Sequence, residues 1–541
     1  MGSRKAPSVR PAGAGRADRR SWMGAVVTKR LAAGLLAACC VLSGADRAGA
    51  EERPLRHSIA LAVHVHSTIS TGSLSLDQLA AQAKAAGLDG IVLTDNYDLH
   101  VGYGVWPLRG LLQFGVNFPS VHQAGETAYL DQIRAAERRH PDLLWIPGVE
   151  VMPQYRWTGS LLTGDLTLHD TQKNLLVVGL DDPARLAAAV GGCPYASDWP
   201  VRLWPALLAV PIPWLWRKER LVQTRTRYFR LITRRRRRGE AAALAVIASL
   251  LLLNNLLTAR QPFDPYGPDP GDAPAQRIID SVREAGGLSF WSLPEAADDH
   301  RYRMADLAEQ GGALGRAGRL MDWYNGSVSV ETRPYLPSLA KTEGYTGFGA
   351  VYEDTITATR PGGEWDRLLM AYLDGRRRQP VWGIGERAYH DAGNDQKRFG
   401  DIQTVVLADS RSSASVLSAL RAGAFYARQR QPAWGLTLDD FTVRGSDGEA
   451  LSGQTISVHP GQSVTVRLAV SASDNRSEPV EIRVIRSGRL WQRLTASTPF
   501  DRQWTDEPPA TGAAYYRIEV GQGDQHLISN PVFLTTAQRT G

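Results

Sequence analysis

The stretch "LAVHVHSTISTGSLSLDQLAAQAKAAGLDGIVLTDNYD" spans residues 61–98 and decides how the chain is read. An apolar run carries His64 and His66 at its end. A segment with a helix cap and helical spacing follows, then a Gly, then a second apolar run ending in Thr94-Asp95-Asn96. Two histidines at i and i+2 on a strand share a face. Imidazoles so placed can grip one metal ion. The open question is what Asn96 does, where a third histidine would be the natural ligand.

The same strand–helix rhythm continues outward. "GETAYLDQIRAAERRHP" has helical spacing, and "DLLWIPGVEVM" and "KNLLVVGL" read as strands. It resumes with "AQRIIDSVREAGG", "LSFWSLP", "WDRLLMAYLDG", "PVWGIGE", "IQTVVLA", "SSASVLSALRAG" and "AFYAR". Alternating strand and helix predicts a parallel sheet or barrel with functional residues at strand C-terminal ends. His64, Asp95, Glu150 and His390 all fall at or just past such ends. From about residue 436 the chain changes to short strands and turns, which predicts an all-β sandwich.

Charge is unevenly spread. Residues 1–50 carry nine Lys/Arg and two Asp, and residues 217–238 carry eleven Lys/Arg and one Glu. Those segments contribute +7 and +10 to a total of +7, so the remainder is 7 − 7 − 10 = −10. An acidic body argues against a nucleic-acid surface on the folded domains. Of the three cysteines, Cys39 and Cys40 lie in the N-terminal apolar segment, leaving Cys193 for the body. No internal disulfide or cysteine-based zinc site is available there.

Lys29-Arg30 precede an apolar run, and small residues at 48–50 offer a cleavage point, so residues 1–50 read as a signal peptide or N-terminal anchor. Arg19-Arg20 and "LAAC" weakly resemble twin-arginine and lipoprotein signals. Residues 241–259 carry no charge, and as a helix they would be roughly 28 Å long, about one bilayer core. With the shorter apolar run 203–216 they predict a membrane hairpin, its Arg-rich loop on the cytoplasmic side. The alternative is a buried core helix beside a solvated basic loop. A hairpin at 203–259 leaves both flanking halves in one compartment, here the periplasmic or extracellular side.

Motif by motif, residues 57–190 and 262–430 resemble the PHP (polymerase and histidinol phosphatase) superfamily. "HVH", "TDN", "LLWIPGVEV", "GGLSFWSLPEA" and "VWGIGERAYH" stand in that family's order. "TVVLADSRSSASVLSALRAGAFYA" and "ISNPVF" resemble its CehA/McbA-like exported branch. The resemblance implies an α/β fold, a PHP-type distorted (βα)7 barrel, here interrupted by a membrane hairpin insertion and followed by a C-terminal all-β sandwich. It implies divalent metals (Zn, Mn or Fe) and hydrolysis of phosphoesters, in some members of other esters or carbamates. The division expected is 1–50, barrel 51–195, insertion 196–261, barrel 262–435 and sandwich 436–541.

Several family ligands are substituted: Asn96, Thr71, Leu293 and Ala388 replace His, Asp, His and Asp, and a further histidine is either Asn174 or displaced to His169. The expected metal ligands are therefore His64, His66, Glu150, His390 and His169, holding one ion, with Asp95 and Glu150 as catalytic groups. Glu386 and His100 are further compensating candidates. The function expected is an exported, membrane-associated hydrolase of a small-molecule phosphoester or related ester, using metal-activated water. The alternatives are a catalytically inactive binding or scaffold protein and a membrane structural protein.

Overall fold

The computed structural model describes residues 56–160, 163–191, 202–225, 227–257, 263–303, 327–352, 356–390, 398–446, 448–508, 512–523 and 525–536. The N-terminal signal-like segment and Cys193 lie outside them. Every element named here belongs to one unit, which begins at Arg56.

A large mixed sheet organises this unit. Its strands are β1 (His57–Val65), β2 (Gly90–Asn96), β3 (Leu144–Val151), β4 (Leu175–Val178), β5 (Leu288–Trp291), β6 (Gly347–Val351), β7 (Trp382–Gly385), β8 (Ile402–Ala408) and β9 (Phe425–Gln429). Their spatial order is β7-β6-β5-β4-β3-β2-β1-β8-β9. β1, β2 and β3 pair in parallel, as do β5, β6 and β7. β4 is antiparallel to both neighbours, a departure from the all-parallel expectation. The cause lies in the connection. Between β3 and β4 the chain makes short strands rather than a crossover helix, and a parallel pairing requires a crossover.

The chain beyond β7 returns to β1: Arg387 N donates to Val63 O, Tyr389 N to His64 O and His66 N to Tyr389 O. This brings His390 to the end of β1. The helix Leu76–Ala85 shows why the opening stretch folds as it does. Ser75 and Gln78 form a capping box, and Leu76, Leu79, Ala80 and Ala83 form its buried face. Ile91 and Leu93 of β2 join the same core.

The C-terminal strands do not stand apart from this sheet. Gln525–Ser529 pairs with β9 and extends it through Ala513–Gln522, Pro479–Arg486 and Arg489–Ser497. A four-stranded sheet centred on Leu436–Gly445 and Val464–Ala472 shares their core. Arg517, fully buried, donates to both oxygens of Asp366 at 2.8 and 2.9 Å, tying this region to the helix Glu364–Leu373.

In the insertion, the helix Arg238–Leu257 is largely exposed or half-buried, with Ala241, Ala248 and Asn254 its buried residues. Two short helical pieces, Trp204–Ala209 and Ile212–Arg217, run beside it. The basic segment, expected as a loop, is instead a β-hairpin pairing Glu219–Arg225 with Arg230–Arg236. The β-branched residues Val222, Thr224, Ile232 and Thr233 favour a pleated strand. Glu240 relieves the repulsion, lying 2.9 Å from Arg220 and 2.8 Å from Arg237.

Candidate metal centre

His64 sits at a β-bulge in β1, where the register against β2 shifts between Val63 and Val65. Its φ is 74°, a left-handed conformation that costs a non-glycine residue energy. Simple strand alternation therefore does not aim the two imidazoles; the bulge does. The rings of His64 and His66 converge with centroids 5.2 Å apart.

Glu150, near the end of β3, faces both. Its Oε1 lies 3.1 Å from His64 Nε2 and its Oε2 3.5 Å from His66 Nε2. Both Nε2 atoms are buried, yet neither has a hydrogen-bond partner among the described residues. Ligand atoms of His64, His66 and Glu150 all lie within 4.8 Å of one another. Two orphaned imidazole nitrogens beside a carboxylate, close but not aligned to bond it, form a donor set that fits one divalent cation.

The surroundings orient this set. Glu386 Oε2 accepts from His64 Nδ1 at 2.9 Å, directing Nε2 toward Glu150. Ser292 Oγ donates to the same carboxylate oxygen at 2.9 Å, and Leu293 N donates to Oε1 at 2.8 Å. A carboxylate behind a ligating histidine fixes its tautomer and raises its basicity. Glu150 is held similarly: Asn96 Nδ2 donates to Oε2 at 2.7 Å and Asn174 Nδ2 to Oε1 at 2.8 Å. The two asparagines thus occupy one lone pair on each carboxylate oxygen, and each oxygen keeps another with which to meet an ion. Thr71 Oγ1 donates to Asn96 Oδ1 at 2.8 Å, so it accepts from His390 Nδ1, also at 2.8 Å. His390 stacks on His66 with centroids 3.9 Å apart.

Burial by itself lowers the pKa of His64, but the facing carboxylates Glu150 and Glu386 outweigh it and raise it to about 10. Burial, then the nearby His390, holds His66 well below its usual value. Burial would raise Glu150, but His64 above all overcomes that and keeps it far below the carboxylate range.

Of the residues expected at the site, His64, His66, Glu150 and His390 come together. Asp95 lies beside them but turns away. Its oxygens accept from Ser67 N and Ser67 Oγ, both at 2.8 Å, and from Ser70 Oγ, so it anchors the turn after His66. Burial, partly offset by these donors, raises its pKa. The structure does not bring His169 to the cluster. It ends the strand Thr167–His169, where its Nε2 lies 2.7 Å from Thr158 Oγ1 and its Nδ1 3.5 Å from Glu331. His100 pairs with Asn117 on an outer hairpin. Asn96, Asn174 and Ser292 contribute contacts that sequence reading did not assign, because an amide in a substituted ligand position reads only as a loss.

No known family profile matches the chain, and no curated protein does. Among solved structures, one similar chain is a two-domain protein containing a predicted PHP-like metal-dependent phosphoesterase from Bacteroides vulgatus. It is 11% identical, with 90% of this chain and 100% of that one covered and a TM-score of 0.32. Another is assigned as a metal-dependent phosphoesterase from Bifidobacterium adolescentis: 13% identical, 62% and 90% covered, TM-score 0.26. The likeness is to PHP-like metal-dependent phosphoesterases. A third is an amidohydrolase from Chromobacterium violaceum with bound sulfate and no metal: 15% identical, 62% and 88% covered, TM-score 0.24. At such TM-scores a likeness places no residue and assigns no activity; the chemistry rests on this chain's own side chains.

Proposed function

We propose that the chain is a metal-dependent hydrolase of phosphoesters or related esters, built on a PHP-type barrel of the CehA/McbA-like kind with a C-terminal β-sandwich. The observation that carries this reading is the pair of orphaned, buried Nε2 atoms facing Glu150, with Glu386 behind one of them. His64, His66 and Glu150 hold one zinc, manganese or iron ion, and His390 stands beside it. Such an ion supplies Lewis acidity and an activated water nucleophile. Glu386 orients His64, Asn96 and Asn174 orient Glu150, and Asp95 holds the turn that positions His66.

A second reading, a binding protein without catalysis, draws on Asn96 and Asn174, which satisfy Glu150 where the family places ligands. One experiment separates them. The full chain, purified with metal, is assayed on a phosphoester panel beside His64→Ala. Hydrolysis lost in the variant supports the enzyme; metal bound without turnover supports the binding protein.

The insertion is proposed to anchor the chain, its two legs crossing the bilayer and its basic hairpin at the far, cytoplasmic side. An exported body with both barrel halves on one side is the consequence. A reporter fused after residue 435 should read non-cytoplasmic; a cytoplasmic reading excludes this topology.

A further inference from the structure

The insertion and the metal centre share one end of the sheet. The centre lies at the C-terminal ends of β1, β2 and β3. Directly after β2 the chain forms the hairpin His100–Gly104/Gln113–Asn117. After β3 come the strands Arg156–Thr158 and Thr167–His169, which join Ser327–Thr332 and Asp298–Arg303 in a small outer sheet. These outer elements pack together through Tyr155, Trp157, Leu168 and Val330, with Val101 and Tyr103 of the hairpin against them.

The chain leaving the insertion is tied to these elements. Trp157 N donates to Pro265 O at 2.7 Å, and Gly104 N donates to Tyr266 Oη. At the base of the apolar helix, Asn254 Oδ1 accepts from Gly110 N at 2.7 Å and Leu111 N at 3.3 Å. The two legs are joined at that base by Asn255 Nδ2 to Arg202 O and at the far tip by Arg237 N to Lys218 O.

The surface they expose fits a bilayer. A 20-residue helix rises about 30 Å, close to the thickness of a hydrocarbon core. Leu207, Val210, Val246, Ile247 and Leu257 are exposed along the legs. Beyond them lies the arginine hairpin, placed to meet phosphates of the opposite leaflet. At the base, level with the site-face loops, Trp106 is 75% exposed and Leu112 48% exposed. Tryptophan at that level suits the headgroup boundary.

We infer that the mouth of the metal centre faces the membrane surface and that its substrate is a phosphoester carried by a bilayer lipid. This rests on the hydrolase reading. Water adds to phosphorus, the phosphorus–oxygen bond to the lipid alcohol breaks, and the departing oxygen takes the proton. The products are a phosphate and a lipid alcohol. Anchoring beside the substrate layer replaces diffusional capture by a high effective concentration.

The test uses the full metal-loaded chain in phosphatidylcholine vesicles. Phosphatidic acid in those vesicles is compared with soluble glycerol 3-phosphate, and phosphatidylglycerol with glycerophosphoglycerol. The lipid of at least one pair should be hydrolysed at least about tenfold faster than its soluble counterpart. Equal or faster turnover of the soluble esters overturns the inference and leaves the hydrolase intact. No turnover of any ester overturns both.

An independent readout uses vesicles containing a phospholipid with a photoreactive diazirine on its headgroup. Adducts should map to residues 100–117, around Trp106 and Leu112, and not to 87–89 or 409–412 at the opposite end of the sheet. Adducts at the opposite end overturn the inference. So does their absence throughout.

Discussion

Around Glu150, most buried polar groups have a partner, and the Nε2 atoms of His64 and His66 stand out as unmatched. Each carboxylate oxygen takes an amide from Asn96 or Asn174, and Glu386 is matched by His64, Ser292 and Leu293. The helix Arg238–Leu257, a short way from the same end of the sheet, is built the opposite way. Many of its large apolar side chains face outward, while the polar Asn254 is turned into the protein beside the small Ala241 and Ala248. In the first region burial without a partner costs free energy, so each orphaned atom points to a missing ligand. In the second, exposure of apolar area points to a missing solvent.

The sharpest way to break this contrast is to remove Glu150. Glu150→Ala leaves His64 and His66 facing each other, Asn96 and Asn174 without an acceptor, and the ion without its carboxylate. Bound metal should drop from about one ion per chain to none, read by elemental analysis, with folding checked by circular dichroism. A variant that keeps its ion would move the centre elsewhere.

Replacing residues 203–257 with a short Gly-Ser linker should have a comparably large effect of a different kind. The chain should become soluble without detergent while its metal content stays unchanged. Retention in the membrane fraction, or loss of metal, would mean that the two regions are not separable in this way.

A smaller effect is expected from Glu386→Gln, which keeps an acceptor behind His64 but removes the charge. Metal affinity should fall about 10- to 100-fold by competitive chelator titration. An unchanged affinity would remove Glu386 from the site.

Proton linkage refines the same point. In the metal-free chain His64 has a pKa raised to about 10, against 6.5 ordinarily. It is therefore protonated at neutral pH, and an ion must displace that proton to reach Nε2. Apparent affinity should rise with pH by about tenfold per unit below that pKa. Calorimetry in buffers of different ionisation heat should show about one proton released per ion. In the metal-free chain the same pairing stabilises the fold fully below pH 6.5 and is lost as pH rises through about 10.

The smallest change is expected from Asn254→Ala. It removes two hydrogen bonds from the hairpin loop and should cost about 1–2 kcal/mol of stability, read by denaturant unfolding in detergent, with metal content intact.

Much of the strand–helix order could be read from sequence, because "SIALAVHV" and "LDGIVLTD" announce buried strands and Ser75 with its following helix is a local signal. The antiparallel β4 was not legible: its direction depends on a connection without a crossover helix, and a four-residue apolar run carries no direction. Nor was the continuity of the C-terminal strands with β9, since strand pairing at a distance leaves no periodic trace. At the site, the sequence could name His64, His66, Glu150 and His390 by their positions at strand ends. It could not show that a bulge at His64 aims the imidazole, nor that Asn96 and Asn174 hold Glu150. Those roles exist only once residues far apart in sequence meet.

The central claim is a single-ion centre at His64, His66 and Glu150. Its most direct test is the metal content of the full chain purified after metal-supplemented expression, measured beside His64→Ala. About one zinc, manganese or iron per wild-type chain, lost in the variant, is the predicted result. A wild-type chain without metal, one with two or more ions, or a variant that retains its ion would contradict it.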